Sequence, residues 1–429
     1  MKYKIILFPF VAFLMLSFSF CKNENATNKK DIEPAKPVKD SIKQDDIFNP
    51  PNKYPDLVND CYKLHYDAIV IDGHNDYIYQ VYKRGANFNK RDKFTQTGLD
   101  RLIDGGMKLQ VFSIWPDEEN MKRAYSFAKE QIERFKKIEA QNTDRFQFAN
   151  SFDEATRIIK SGKLCGMFGL EGGNAVENNL DRINEFYDLG VRYITLTWNN
   201  SNKIGTSAKD ESSRNVKGGL TKYGFEVIKR MDEVGMLIDV SHVGEQTFWD
   251  VIKTSKNPVI ASHSCCYSLS PHYRNLTDEQ IKAIAEKGGI IMVNFYDHFI
   301  DAVNADNVRT SNVYERYPNE INEIFKNSGG DMIKFNQERE KFLSTIDLLG
   351  GISIDKFIDH IDYIYKLVGV DYIGLGSDYD GGVTPPNELY DGTCYPIITK
   401  KLIERGYTEI EIRKILGLNF LRVFKQVCG

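Results

Sequence analysis

Eight short apolar runs, each followed by a longer amphipathic stretch, set the pattern of the chain from residue 67 onward. They are AIVID (68–72), KLQVFSI (108–114), LCGMFGL (164–170), RYITLTW (192–198), MLIDVS (236–241), PVIASH (258–263), GGIIMVNF (288–295) and DYIGLGS (371–377). Strands buried on both faces read as continuous apolar runs, and strands alternating with helices imply a parallel sheet. Segments such as LTKYGFEVIKRMDEVG and LTDEQIKAIAEKGG end in glycine just before the next run, as helix-to-strand connections often do. Eight such units predict an α/β fold closed into a (β/α)8 barrel, with a doubly wound open sheet as the alternative. The stretch from about 300 to 350 is longer than an ordinary barrel connection. It reads as a helical insertion between the seventh and eighth strands, placed to lie over the site mouth.

Polar residues gather where these runs end. The first run leads into His74 and Asp76, the third into Glu171, the fifth into His242, the sixth into His263 and the eighth into Asp378. In a parallel barrel the C-terminal strand ends all open on one face, where such enzymes keep their catalytic groups. Taken singly, each residue has an ordinary structural reading, as a turn cap, a core histidine or an Asx-turn. Their coincidence at one strand position points to a shared site. His74 and Asp76 are two apart, so an extended backbone aims them at the same spot. Three histidines and at least two carboxylates exceed what one catalytic zinc requires, since such a zinc takes three protein ligands and keeps a position open. The surplus predicts two metals, with Glu171 bridging them, His74 and Asp76 on one and His242 and His263 on the other. Two such ions can hold a bridging water, lower its pKa toward ~7 and polarise a carbonyl, so the reaction class is metal-assisted hydrolysis.

Together, DGHNDY, LEGG, LIDVSHVG, ASHS followed by HYRN, IMVNFY and GLGSDYDG resemble the membrane (renal) dipeptidase family of zinc peptidases, in order and over nearly all of residues 60 to 428. The resemblance implies a (β/α)8 barrel with two Zn2+ per chain, and the same five ligands, His74, Asp76, Glu171, His242 and His263. It further implies that Asp378 is a non-ligand carboxylate serving as proton shuttle and amine anchor, and that Arg274 and Tyr296 hold the substrate's terminal carboxylate. A planar guanidinium suits that carboxylate because it donates two parallel hydrogen bonds. A structural ion pair for Arg274 and a plain core aromatic for Tyr296 are the competing readings. Better-known members carry a substrate-contacting histidine at the end of the fourth strand, where this chain has Trp198; Asn199 or Asn200 would supply a hydrogen bond instead.

The N-terminus has a different character. Residues 1–20, MKYKIILFPFVAFLMLSFSF, pair lysines with a long apolar stretch and read as an export signal ahead of Cys21. Residues 21–55 are polar, charged and aperiodic, which suits a disordered tether behind a lipid-modified Cys21, leaving 56–429 as the hydrolase domain. The expected location is the cell envelope, as an exported, membrane-anchored lipoprotein, periplasmic or surface-exposed. A formal net charge of −4 with no basic block gives no reason to expect nucleic acid as a partner. The six cysteines beyond Cys21 follow no metal-finger spacing and are expected as buried or idle thiols. A homodimer is compatible with these features.

The leading expectation is a dipeptidase acting on short substrates, including those with a C-terminal D-residue. The alternatives are an amidohydrolase-type barrel acting on another small amide or ester, and a non-catalytic peptide-binding lipoprotein, although a decayed site should have lost a ligand.

Overall fold

Among the described residues nine strands form one wholly parallel sheet: β1 (Val70–Asp72), β2 (Met107–Ile114), β3 (Phe146–Phe148), β4 (Leu164–Glu171), β5 (Val191–Thr195), β6 (Leu237–Asp239), β7 (Val259–Ala261), β8 (Ile290–Val293) and β9 (Ile373–Leu375). The computed structural model describes residues 61–305, 317–343 and 351–429, with Lys43 and Thr345. All eight apolar runs are strands of the barrel, in the order β1-β2-β4-β5-β6-β7-β8-β9. The ring is drawn together where Gly73 N–H donates to the Leu375 carbonyl at 2.8 Å and Asp378 N–H to that of His74 at 3.0 Å. Of the two predicted alternatives, the (β/α)8 barrel is the one adopted. β3 is an addition: it pairs with Leu164–Gly166 of β4, while β5 takes the later residues from Phe168 to Glu171.

Side-chain parity explains how apolar strands make both a core and a site. Leu109 and Val111, Cys165 and Met167, Ile260, and Ile290 and Met292 form one buried cluster that fills the barrel. Their alternates, including Phe112, Phe168, Ile238, Val259 and Ile291, join the larger cluster under the surrounding helices. Continuing the inward parity toward the C-terminal ends gives Ser113, Glu171, Asp239, Ser262 and Asn294, all buried. The barrel interior therefore turns from apolar to polar along each strand.

The helices obey local signals. Lys222–Val234 starts at Thr221, whose side chain accepts from Gly224 N–H, and stops at Gly235 with φ 75°. Asp278–Glu286 opens with a capping box between Thr277 and Gln280. Below the barrel, the inner cluster continues into Phe152 and Ile158 and into Phe420 and Phe424 of the C-terminal helix Asn419–Cys428.

The described part of the insertion is helical, Pro318–Ser328 and Met332–Leu343. None of the residues of these two helices lines the cavity mouth, and residues 306–316, 344 and 346–350 of the expected insertion lie outside the described residues. Asn336 donates to Tyr66 Oη at 2.8 Å and Arg339 to the Thr393 carbonyl at 3.1 Å, so the second helix rests against the N-terminal helix Cys61–Asp67 and the 390s loop. The signal, the tether and Cys21 lie outside the described residues. Among the described residues no helix is long and apolar enough to cross a membrane. Cys165, Cys265, Cys266, Cys394 and Cys428 are buried free thiols.

Candidate active site

A cavity of about 320 Å³ opens at the C-terminal end of the barrel, and its wall includes Asp76, Glu171, His242, Arg274, Tyr296 and Asp378. His74 and His263 lie beneath it, fully buried, with rings 3.9 Å apart. Glu171 stands at the centre and its two oxygens face opposite ways. Oε2 lies 3.4 Å from His74 Nε2, whereas Oε1 lies 3.0 Å from His242 Nε2 and 3.6 Å from His263 Nε2. His74 Nε2 is also 3.6 Å from Asp76 Oδ2. The sequence grouped Asp378 apart from the ligands, but its carboxylate lies within 4.8 Å of ligand atoms of both His74 and Asp76. His242 and Asp378 both adopt left-handed backbone, φ 67° and 62°, a conformation that His and Asp enter more readily than most non-glycine residues.

Residues that the sequence reading passed over hold this cluster in place. Tyr193 Oη lies 2.7 Å from His74 Nδ1, and Ser262 Oγ lies 2.7 Å from His263 Nδ1. Each contact turns Nε2 of its ring toward Glu171. Tyr193 reaches across from β5 because Gly169, its neighbour in register, has no side chain; a Cβ there would overlap the tyrosine ring. Two buried aspartates then lock neighbouring strand ends. Asp239 accepts from Ser262 N at 2.9 Å and Ser262 Oγ at 2.6 Å, just before His263. Asp72 does the same for Ser377, at 2.8 and 2.6 Å, just before Asp378. The available signal was an aspartate inside otherwise apolar runs, AIVID and MLIDVS.

Electrostatics follow from burial and proximity. Burial opposes ionisation of Glu171, but His74 and His242 outweigh it and hold its carboxyl well below the usual carboxylate range. Desolvation, with the Arg274 charge, lowers His242 to about 4, so that ring is neutral at pH 7. Burial first, and the Asp76 carboxylate second, push Asp378 up to about 8. A dication held nearby would draw that value down, since positive charge favours the carboxylate.

The donor set suits a metal. His74 Nε2 and Asp76 Oδ1 are buried without a hydrogen-bond partner, and the Nε2 atoms of His242 and His263 face each other at 3.0 Å. Orphaned imidazole and carboxylate atoms in such numbers are costly unless a cation satisfies them, and mixed nitrogen and oxygen donors fit zinc.

Arg274 sits in the loop after β7, only 4 % exposed, with Nη2 donating to the His263 carbonyl at 3.4 Å. Its Nε has no partner, and it makes no ion pair with a described residue. Desolvation lowers its pKa, with Asp378 opposing. Tyr296 follows β8 and packs edge-on to Phe299 at 4.9 Å. Asn199 lines the cavity, whereas Asn200 is turned away toward Asn174, at 3.4 Å.

Barrel and cluster together define a metal-dependent hydrolase of the (β/α)8 type. The profile of the membrane dipeptidase family, peptidase family M19, matches residues 58–428, and the chain belongs to that family as a metallo-dipeptidase. It is 31 % identical over 378 residues to an uncharacterized dipeptidase of Schizosaccharomyces pombe, covering 84 % of this chain and 80 % of that one. Among solved structures, the probable dipeptidase PvdM of Pseudomonas aeruginosa shares the fold with a TM-score of 0.70 at 21 % identity, covering 87 % of this chain and 99 % of the other. A metallo peptidase of Rhodobacter sphaeroides, liganded with a phosphinate mimic of the dipeptide L-Ala-D-Ala, gives 0.69 at 23 %, covering 84 % and 100 %.

Proposed function

We propose that the cavity holds two zinc ions and hydrolyses the single peptide bond of dipeptides whose amine and carboxylate are both free. The observation that carries the substrate class is Arg274, a buried guanidinium with an unpartnered Nε beside a cluster of metal-ligating side chains. A buried unpaired cation is costly, and a substrate carboxylate would relieve that cost. An uncharged amide or ester would leave it in place.

His74 and Asp76 would hold one ion, His242 and His263 the other, and Glu171 would serve both, one oxygen to each side. Zinc bound there supplies an activated water and a polarised carbonyl. The chain supplies the rest. Arg274, with Tyr296 beside it, fixes the C-terminal carboxylate. Asp378, fixed by the 3.0 Å hydrogen bond from Asn294, faces the ammonium and carries the proton from the attacking water to the departing amine. Asn199 offers its amide to the substrate from the opposite wall. The bound L-Ala-D-Ala mimic in the Rhodobacter sphaeroides relative supports extending the range to a C-terminal D-residue.

Arg274→Ala tests the carboxylate role. On free dipeptides kcat/KM should fall roughly 10- to 10³-fold, the worth of a desolvated charge-assisted contact, while already poor dipeptide amides change little. Equal losses on acid and amide would make Arg274 a structural residue.

A further inference from the structure

Two tryptophans stand on the side of the mouth away from Arg274. Trp115 follows β2 and Trp198 follows β5, the two strands that flank β4 and therefore Glu171. Both line the cavity, half-buried, with ring centroids 4.9 Å apart. They are fixed from behind. Tyr79 packs edge-on to Trp115 at 4.9 Å, and Gln131 Nε2 donates to the Trp115 carbonyl at 3.0 Å. The chain entering Trp198 is held by Thr197, whose Oγ1 donates to the His242 carbonyl at 3.1 Å. Two large apolar rings kept half-open over a metal cluster serve neither the barrel core nor the chemistry, and a rigid aromatic wall of this kind binds apolar surface.

Strand order decides which part of a substrate meets them. Arg274, Tyr296 and Asp378 occupy the arc from β7 to β9, and Trp115 and Trp198 lie on the β2 to β5 arc across the mouth. Taking the function proposed above, the carboxylate is held at Arg274, the ammonium at Asp378 and the scissile carbonyl over Glu171. The C-terminal residue is then pinned at its amide and its carboxylate, so its side chain stays near the β6 to β8 arc. The N-terminal residue is pinned at its ammonium and its carbonyl. Its side chain must project away from both, toward β2 and β5. We infer that the Trp115–Trp198 wall is the specificity pocket for the N-terminal side chain and selects bulky apolar ones, such as Leu, Met and Phe, over Gly.

The inference rests on the dipeptidase reading, and one experiment separates them. Wild type, Trp115→Ala, Trp198→Ala and Trp198→Phe, all zinc-loaded, are assayed on Gly-Ala, Leu-Ala and Phe-Ala, and on Ala-Gly, Ala-Leu and Ala-Phe. Wild type should prefer Phe-Ala and Leu-Ala to Gly-Ala in kcat/KM by about tenfold or more, within the range hydrophobic pockets deliver. Each alanine variant should reduce that ratio to within about threefold, mainly through KM, and Trp198→Phe should restore most of it. The ratios in the C-terminal series should not move. No N-terminal preference in wild type would overturn the inference and leave the dipeptidase reading standing. So would a change confined to the C-terminal series, or an equal loss on every substrate with loss of zinc. Wild type cleaving no dipeptide would remove the function and the inference together.

Discussion

At the residue scale, Asp378 stands at the boundary between the groups proposed to hold metal and those proposed to handle substrate. It lies within reach of His74 and Asp76, yet its Oδ2 is engaged by Asn294 at 3.0 Å and it faces the cavity. As a proton carrier its loss should cost turnover: Asp378→Asn should lower kcat by about 10²- to 10⁴-fold while two zinc equivalents remain bound. Zinc analysis of the variant settles the matter, because loss of one equivalent would make Asp378 a ligand. All five proposed ligands were legible in the sequence, since each is a polar residue at or just past the end of an apolar run. Tyr193 was not. It lies inside RYITLTW, where an aromatic reads as core, and its contact with His74 depends on an opposing glycine that only the register reveals.

At the scale of elements, the barrel strands are legible because residues buried on both faces make long apolar runs. β3 is not, being three residues that pair with only the first half of β4. The aspartate locks were visible as Asp72 and Asp239 within apolar runs, but which strand each one fastens depends on closure of the ring. Asp239 also accepts from Ser241 N at 3.0 Å and Thr195 Oγ1 at 2.5 Å, so it ties β5, β6 and β7 together under His263. Asp239→Asn replaces the oxygen that accepts from Thr195 Oγ1 and Ser262 Oγ with an amide that donates, so both hydroxyls must turn or lose their acceptor. It should cost about 1–3 kcal/mol in denaturant unfolding. Because Ser262 then loses its anchor, zinc affinity measured by chelator competition should fall by roughly 10- to 100-fold. Unchanged zinc affinity would reduce the lock to a stability device.

For the whole molecule, a buried histidine that does not line the cavity sets part of the acid response. His65 is fully buried, with Nδ1 2.7 Å from Thr399 Oγ1 and Nε2 2.8 Å from the Gly105 carbonyl oxygen. Burial lowers it to about 3, below its ordinary value near 6.5. The unfolded chain therefore binds the extra proton between those values. The stability this neutral ring confers is complete above pH 6.5 and is lost as the pH falls toward 3. Between pH 7.5 and 5, wild type should lose about 2 kcal/mol more than His65→Gln, a comparison in which the other titrating groups cancel. Urea unfolding of both proteins at the two pH values checks this, and parallel pH dependence would contradict it. The helix Met332–Leu343 was legible as helix but its resting place was not, because its packing partners, Tyr66 and Thr393, are distant in sequence. The central claim joins the metal cluster to a pocket for both ends of a dipeptide. Its most direct test is hydrolysis of one dipeptide and its N-acetyl and C-amide derivatives by the protein as purified, after chelation, and after zinc is restored. Close to two zinc equivalents are expected, with cleavage of the free dipeptide far faster than of either capped form, loss on chelation and recovery with zinc. Equal cleavage of the capped forms, or activity that survives removal of the metal, would contradict it.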